Sequence, residues 1–259
     1  MEKKKKDFSH RFGLIDTLRG FWLLNMIAFH LCYDIFVIYG YDSIWYAHAG
    51  VVIWERCICV SFILLSGISL HFSRHPFRRG IIINLAGFLI TAVTFFAMPS
   101  QVVWFGVLNL IGTAMIITAA LRFLLDRINP YLGAALSLLL FAVFYGVPHH
   151  YIGFFGWNLR MLPDFLYQFR YAAFLGFPSA GFHSSDYFPL IAWIFLFVLG
   201  YFLWGIVQRL HKEEWFRRGF APLSFLGRHS LLIYLLHQPV LMGACVLFFD
   251  VLKLSLPIN

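Results

Sequence analysis

Apolar residues in this chain run in long uninterrupted blocks and do not alternate with polar ones. The blocks extend from Leu14 to Tyr39, Val51 to Leu70, Ile81 to Met98, Val102 to Leu125, Tyr131 to Val147, Phe188 to Val207 and Leu223 to Leu252. Each is close to or above the roughly 17–25 residues that a helix needs to cross about 30 Å of hydrocarbon. The pattern predicts an all-α fold, a polytopic integral membrane helix bundle of about seven transmembrane helices. The long outer loop from Pro148 to Tyr187 precedes the sixth. The whole chain, 1–259, reads as a single membrane domain with a basic cytoplasmic tail over 1–12. The first block follows Lys3 to Lys6, yet it is too long for a cleaved secretory signal. It also contains Asp16 and Arg19 and lacks a small-residue cleavage site, so it reads as a retained helix.

Composition narrows the class further. Hydrophobic residues make up 61% of the chain and charged residues only 12%, against roughly 25% charged in ordinary soluble domains. A water-soluble fold and a disordered chain are both excluded on that ground. The formal net charge of +8 then calls for an explanation, and position along the chain supplies it. With the amino terminus cytoplasmic, the inner segments carry Lys3 to Lys6 and Arg11, then Arg74, Arg78 and Arg79, then Arg122 and Arg127, then Arg209, Lys212, Arg217, Arg218 and Arg228. The outer segments carry Arg160, Arg170 and Lys253 alone. That asymmetry follows the positive-inside rule. It predicts an outer carboxyl terminus and removes the need for a nucleic-acid partner. The four cysteines lie inside apolar stretches without metal-type spacing and read as small core residues.

Ionisable groups inside a bilayer are costly, so each is a functional candidate. The first helix holds an unusual number of them. About three turns, roughly 16.5 Å of rise, separate Arg19 from His30 on one face; Asp16 lies one turn before Arg19 and Asp34 one turn after His30. The i, i+4 spacing predicts that Asp34 hydrogen-bonds one ring nitrogen of His30 and leaves the other free to accept a proton. A paired polar plug between helices is the plainer reading of the same residues.

Three further clusters follow. Asp42, Tyr46, His48, Glu55 and Arg56 occupy the outer end of the first helix and the start of the second, where Glu55 and Arg56 fit a half-exposed pair equally well. The inner connection from Ser66 to Gly80 brings Arg74, Arg78 and Arg79 beside His71 and His75. Guanidinium groups there suit phosphates, although topology alone would also put them there. In the aromatic outer loop, His149, His150, His183 and Asp186 have no spacing that demands a metal, and none is expected. His237, mid-span beside Pro239, reads as a polar group that stabilises a kink.

Several stretches resemble known families. Ile15-Asp16-Thr17-Leu18-Arg19-Gly20 followed by His30 is similar to the first helix of the acyltransferase-3 family, as are the runs Phe62 to Gly67 and Leu226 to Pro239. A closer resemblance is to the catalytic-domain family of heparan-α-glucosaminide N-acetyltransferase, in particular its short bacterial members. It is carried by that helix, by Trp45-Tyr46-Ala47-His48-Ala49, by the stretch Phe105 to Gly112 and by Asp186-Tyr187-Phe188-Pro189-Leu190. The resemblance covers most of 11–240. It implies transfer of an acyl group, acetyl above all, from cytoplasmic acetyl-CoA or another acyl-CoA to an amino or hydroxyl group of an extracytoplasmic sugar, with no metal. A multi-pass protein of a bacterial plasma membrane is the expected setting, and a homodimer remains open.

The resemblance also distributes roles. The catalytic histidine of one family falls at His30 and that of the other at His48, and this chain has both. His30, His48 and Asp34 are therefore the expected catalytic residues; Arg19, Arg74, Arg78, Arg79 and Asp16 the expected acyl-CoA site; and Trp157, Arg160 and Asp186 the expected contacts to the acceptor. A histidine would act as general base or accept the acyl group itself. A proton-coupled transporter using the same His/Asp/Arg stripe is the alternative, and a structural subunit glued by that stripe is a second.

Overall fold

Helices account for nearly all of the regular structure in the computed structural model, which describes residues 12–154 and 157–253. Most of the basic tail, including Lys3 to Lys6 and Arg11, lies outside the described residues. Among the described residues six helices are long and apolar enough to cross a membrane: Gly13–Ile38, Ala49–Phe72, Pro76–Ala97, Pro130–His149, Leu190–Arg209 and Ser230–Val251.

Two of the predicted blocks come out differently. The block from Val102 to Leu125 yields only α4, Val107–Ala120, 14 residues long, and the short α5, Arg122–Leu125. At about 1.5 Å per residue α4 spans about 21 Å, so the seventh span is not confirmed at full length. The lost residues leave the helical region, with Val102 and Gly106 extended. Trp104 N–H donates to Ser184 Oγ at 2.9 Å, Ser185 N–H donates to the Val102 carbonyl at 3.0 Å, and Phe105 turns left-handed at φ 55°. The last block is broken at His229 into α8, Ala221–Arg228, and α9, Ser230–Cys245.

Packing divides the chain into two compact units, Met1–Phe62 with His211–Asn259, and Ile63–Leu210. In the first, α1 (Gly13–Tyr33) lies against α8. Glycine explains the close approach, because a Cβ on Gly20 would strike the Leu223 carbonyl and one on Gly227 the Asp16 carbonyl. Thr17 Oγ1 reinforces the seam, 2.8 Å from Ser224 Oγ and accepting the Phe220 N–H at 2.9 Å. Beyond that seam Leu23, Met26 and Phe29 of α1 pack with Ile58 of α2 (Ala49–Ser69), flanked by Trp45, Trp54, Ile233 and Tyr234.

The second unit is built on two helix pairs. α3 (Pro76–Ala97) crosses α4 where Gly80, Gly87 and Gly112 lack side chains, and α6 (Pro130–Phe144) packs on α7 (Leu190–Arg209) with Gly133 against the Phe202 ring. Regular α7 geometry begins only at Trp193, since Ala192 sits at φ 76°. The loop before α7 is partly β structure. β1, Tyr151–Phe154, pairs antiparallel with β2, Trp157–Met161, and 3₁₀ turns follow at Asp164–Tyr167 and Arg170–Phe174. With this short antiparallel pair in a loop, the fold is nearly all-α, as expected. The cysteine expectation also holds only for Cys245; Cys57 is exposed, and Cys32 and Cys59 are intermediate. In a chain that crosses lipid, an outward thiol meets apolar surroundings as well as an inward one does.

Candidate active site

The polar stripe of α1 is present, and α8 and α9 are what it faces. At its lower end Arg19 Nη1 binds Asp16 Oδ1 at 3.0 Å, with both side chains mostly buried, and reaches toward the Gly227 carbonyl at 3.5 Å. The motif from Asp16 to Gly20 therefore docks α8: Thr17, Arg19 and Gly20 each engage it.

One turn from its upper end, the His30 ring lies 4.8 Å from that of His237 in α9, tilted by 58°. Phe29 beside it meets Tyr46 and Trp54 edge to face and Trp45 at a tilt. Asp34 is fully buried at the point where α1 widens into a π-helical turn, Asp34–Ile38, a deformation that recurs at functional sites. Its partner is not His30. Asp34 Oδ1 accepts from Gln238 Nε2 at 2.7 Å, and Asp34 Oδ2 has no partner among the described residues. The expected i, i+4 bond is thus replaced by a bond to α9, which a single-helix argument has no means of weighing. His237 Nδ1 meets the Tyr234 carbonyl at 2.6 Å, while its Nε2 and Gln238 Oε1 are buried without partners among the same residues.

His237 and Gln238 are what sequence reasoning left out of the site. Their signal was there, two polar residues ahead of Pro239 within an apolar span, in a stretch already noted for its resemblance. A kink accounted for them too easily.

His48 stands apart from this group. It is exposed at the turn between the 3₁₀ segment Trp45–Ala47 and α2, and no hydrogen bond, ion pair or ring contact joins it to His30. Next to it Tyr46 donates to Glu55 Oε2 at 2.9 Å, and Arg56 Nε lies 3.6 Å from the same oxygen. Partial burial and the Glu55 charge both push the Tyr46 phenol above its usual range, so it stays a donor.

The remaining expected residues belong to the second unit. Arg74, Arg78 and Arg79 are exposed around the amino end of α3. Trp157 and Arg160 are exposed on β2, Trp157 at 79%. Asp186 is engaged: its Oδ2 accepts the Val107 N–H at 3.2 Å and closes the first turn of α4. Two stretches that carried the resemblance, Phe105 to Gly112 and Asp186 to Leu190, are thereby brought together, with Phe188 N–H also bonded to the Phe105 carbonyl. His150 stacks on Tyr167 and lies 3.3 Å from Asp164. Among the described residues no group of three or more His, Cys, Asp or Glu is placed to hold a metal ion.

A polytopic helical protein with titratable side chains and unpartnered polar atoms inside its spans belongs to the class of membrane proteins that hold a polar site within the bilayer. The chain can be placed more narrowly. Residues 11–239 match the family described as heparan-alpha-glucosaminide N-acetyltransferase, catalytic, and the chain belongs to that family, which makes it a membrane-embedded transferase. Comparison with curated proteins and with solved structures finds no match.

Proposed function

We propose that this protein transfers an acyl group, acetyl in the first place, from acyl-CoA to an amino or hydroxyl group of an extracytoplasmic carbohydrate, with His30 as general base. The observation that carries the reading is the group of Asp34, His237 and Gln238, each with a buried polar atom left unpartnered in an apolar span and with the half-buried His30 ring beside His237, in a chain of this family. His30 takes the proton of the acceptor as its nitrogen or oxygen attacks the thioester carbon. The new C–N or C–O bond forms, the C–S bond breaks, and the proton passes to the departing thiolate. Such base catalysis supplies about 10² to 10⁴ in rate. Asp34 sets the polarity around that histidine. His48, exposed beside Tyr46, is assigned the approach of the acceptor and not the proton transfer.

On the donor side, the exposed guanidinium groups of Arg74, Arg78 and Arg79 have the chemistry to hold the phosphates of coenzyme A. They surround a helix amino terminus, which itself favours anions. Arg19 and Asp16, engaged with each other, keep α1 seated on α8.

Calorimetric titration of acetyl-CoA into the purified protein in detergent tests this reading. Saturable binding, kept in His30→Ala together with loss of thiol release in the presence of amino sugars, is the expected result. Absence of acyl-CoA binding by folded protein overturns it and brings forward proton-coupled transport through the same stripe.

A further inference from the structure

Four buried side-chain atoms lack a hydrogen-bond partner among the described residues, and three of them belong to the contiguous residues Asp34, His237 and Gln238. Their chemistry can be read one by one. A carbonyl oxygen only accepts, so His237 Nδ1 carries the proton it gives to Tyr234, and Nε2 presents a lone pair. Gln238 Nε2 donates to Asp34 Oδ1, so the orphan on that amide is the carbonyl oxygen Oε1. On the carboxylate the orphan is Oδ2. Every unpartnered atom of the group is an acceptor.

A buried acceptor without a donor costs about 1–3 kcal/mol, and native structures tolerate such atoms mainly where a ligand or water supplies the missing partner. The group that fits here carries N–H or O–H donors. A thioester carbonyl does not fit, because the oxygen that becomes negative during acyl transfer needs donors aimed at it. Asp34 is fully buried and His237 is nine-tenths buried, so bulk water does not satisfy them. The His30 ring lies 4.8 Å from that of His237, so the proposed base is a neighbour of these acceptors.

We propose that Asp34, His237 and Gln238 form the subsite that receives the reacting N–H or O–H group of the acyl acceptor, and that the acyl-donor carbonyl oxygen is held by groups other than these three. The assignment rests on the acyltransferase reading above and adds which substrate these residues hold. It explains why Asp34 is locked by Gln238 instead of His30: the amide fixes one carboxylate oxygen and leaves the other aimed at the incoming donor.

Steady-state kinetics with glucosamine as the probe acceptor, alongside calorimetric binding of acetyl-CoA, decide it. Gln238→Leu and His237→Phe should each raise the KM for glucosamine about tenfold or more while the Kd for acetyl-CoA stays within about twofold. His237→Gln, which restores an acceptor, should recover most of the loss. Glucosamine methylated on every oxygen and quaternised to the trimethylammonium, which has no N–H or O–H group, should not compete. A raised acetyl-CoA Kd with unchanged glucosamine KM would assign the group to the donor and overturn the proposal. Unchanged values for both substrates in both variants, or competition by the methylated sugar, would overturn it as well. If the wild type binds no acyl-CoA, the acyltransferase reading fails by itself. Equilibrium dialysis of radiolabelled glucosamine against wild type and Gln238→Leu then still decides the subsite, with equal retention counting against it.

Discussion

The α1–α9 seam of the first unit and the α3–α4 crossing of the second bury polar side chains in apolar helices to opposite effect. At the α3–α4 crossing Asn84, Asn109 and Thr113 satisfy one another. Asn109 Nδ2 donates to the Asn84 carbonyl at 3.4 Å, Thr113 Oγ1 donates to Asn84 Oδ1 at 3.3 Å, and Thr91 Oγ1 donates to the Val103 carbonyl at 2.7 Å. Glycines at 80, 87 and 112 bring the backbones close enough for this. In the α1–α9 seam three acceptors are left over. The first arrangement is the glue that membrane helices use in place of a hydrophobic effect. The second has the same residue types and an unmet demand for donors, which marks a place where something binds.

Substitutions can break that contrast, and the largest effect is expected at His30. His30→Ala should lower acyl transfer by about 10² to 10⁴ while leaving the midpoint of denaturation in a sodium dodecyl sulfate titration nearly unchanged; a collapse of the fold instead would make the seam structural. Asp34→Asn comes next. Removing a desolvated charge should hold stability level or raise it, yet transfer should fall by at least roughly tenfold, equivalent to about 1.4 kcal/mol. Thiol-release assays and the same unfolding titration read both.

The α3–α4 crossing should respond the other way round. Asn109→Ala is expected to cost about 1 kcal/mol of stability, the scale of interhelical hydrogen bonds in membranes, with acetyl-CoA binding and turnover unaltered. Thr118, whose hydroxyl is the fourth unpartnered atom and lies on α4, sharpens the comparison most finely. Replacing it by the isosteric Val should be neutral or stabilising by a few tenths of a kcal/mol, because an orphaned hydroxyl is removed without loss of packing. Unchanged turnover there would show that a lone orphaned hydroxyl does not mark a site, and a fall in turnover would extend the functional region to α4.

Much of the site was legible in the sequence because a helix repeats every 3.6 residues. Asp16, Arg19, His30 and Asp34 fall on one face by spacing alone, and the structure puts α8 and α9 on that face. Where spacing misled, the cause was a partner from elsewhere in the chain. The i, i+4 spacing makes an Asp34–His30 bond possible, but Gln238 supplies the donor at 2.7 Å instead. The 102–125 block is apolar enough for a span, yet Ser184, Ser185 and Asp186 claim the backbone ahead of Val107 and hold it out of the helix. The hairpin over residues 151–161 was masked by the same aromatic richness that marked the loop as unusual.

Taken alone, the sequence determined that this protein is a membrane helix bundle, which of its segments are apolar enough to span, and that its first helix carries titratable groups on one side. Those properties depend on local composition and helical period. The tertiary structure decided which groups are left unsatisfied. Asp34 and Gln238 are 204 positions apart, and only the docking of α9 against α1 determines that one carboxylate oxygen is paired and the other is not.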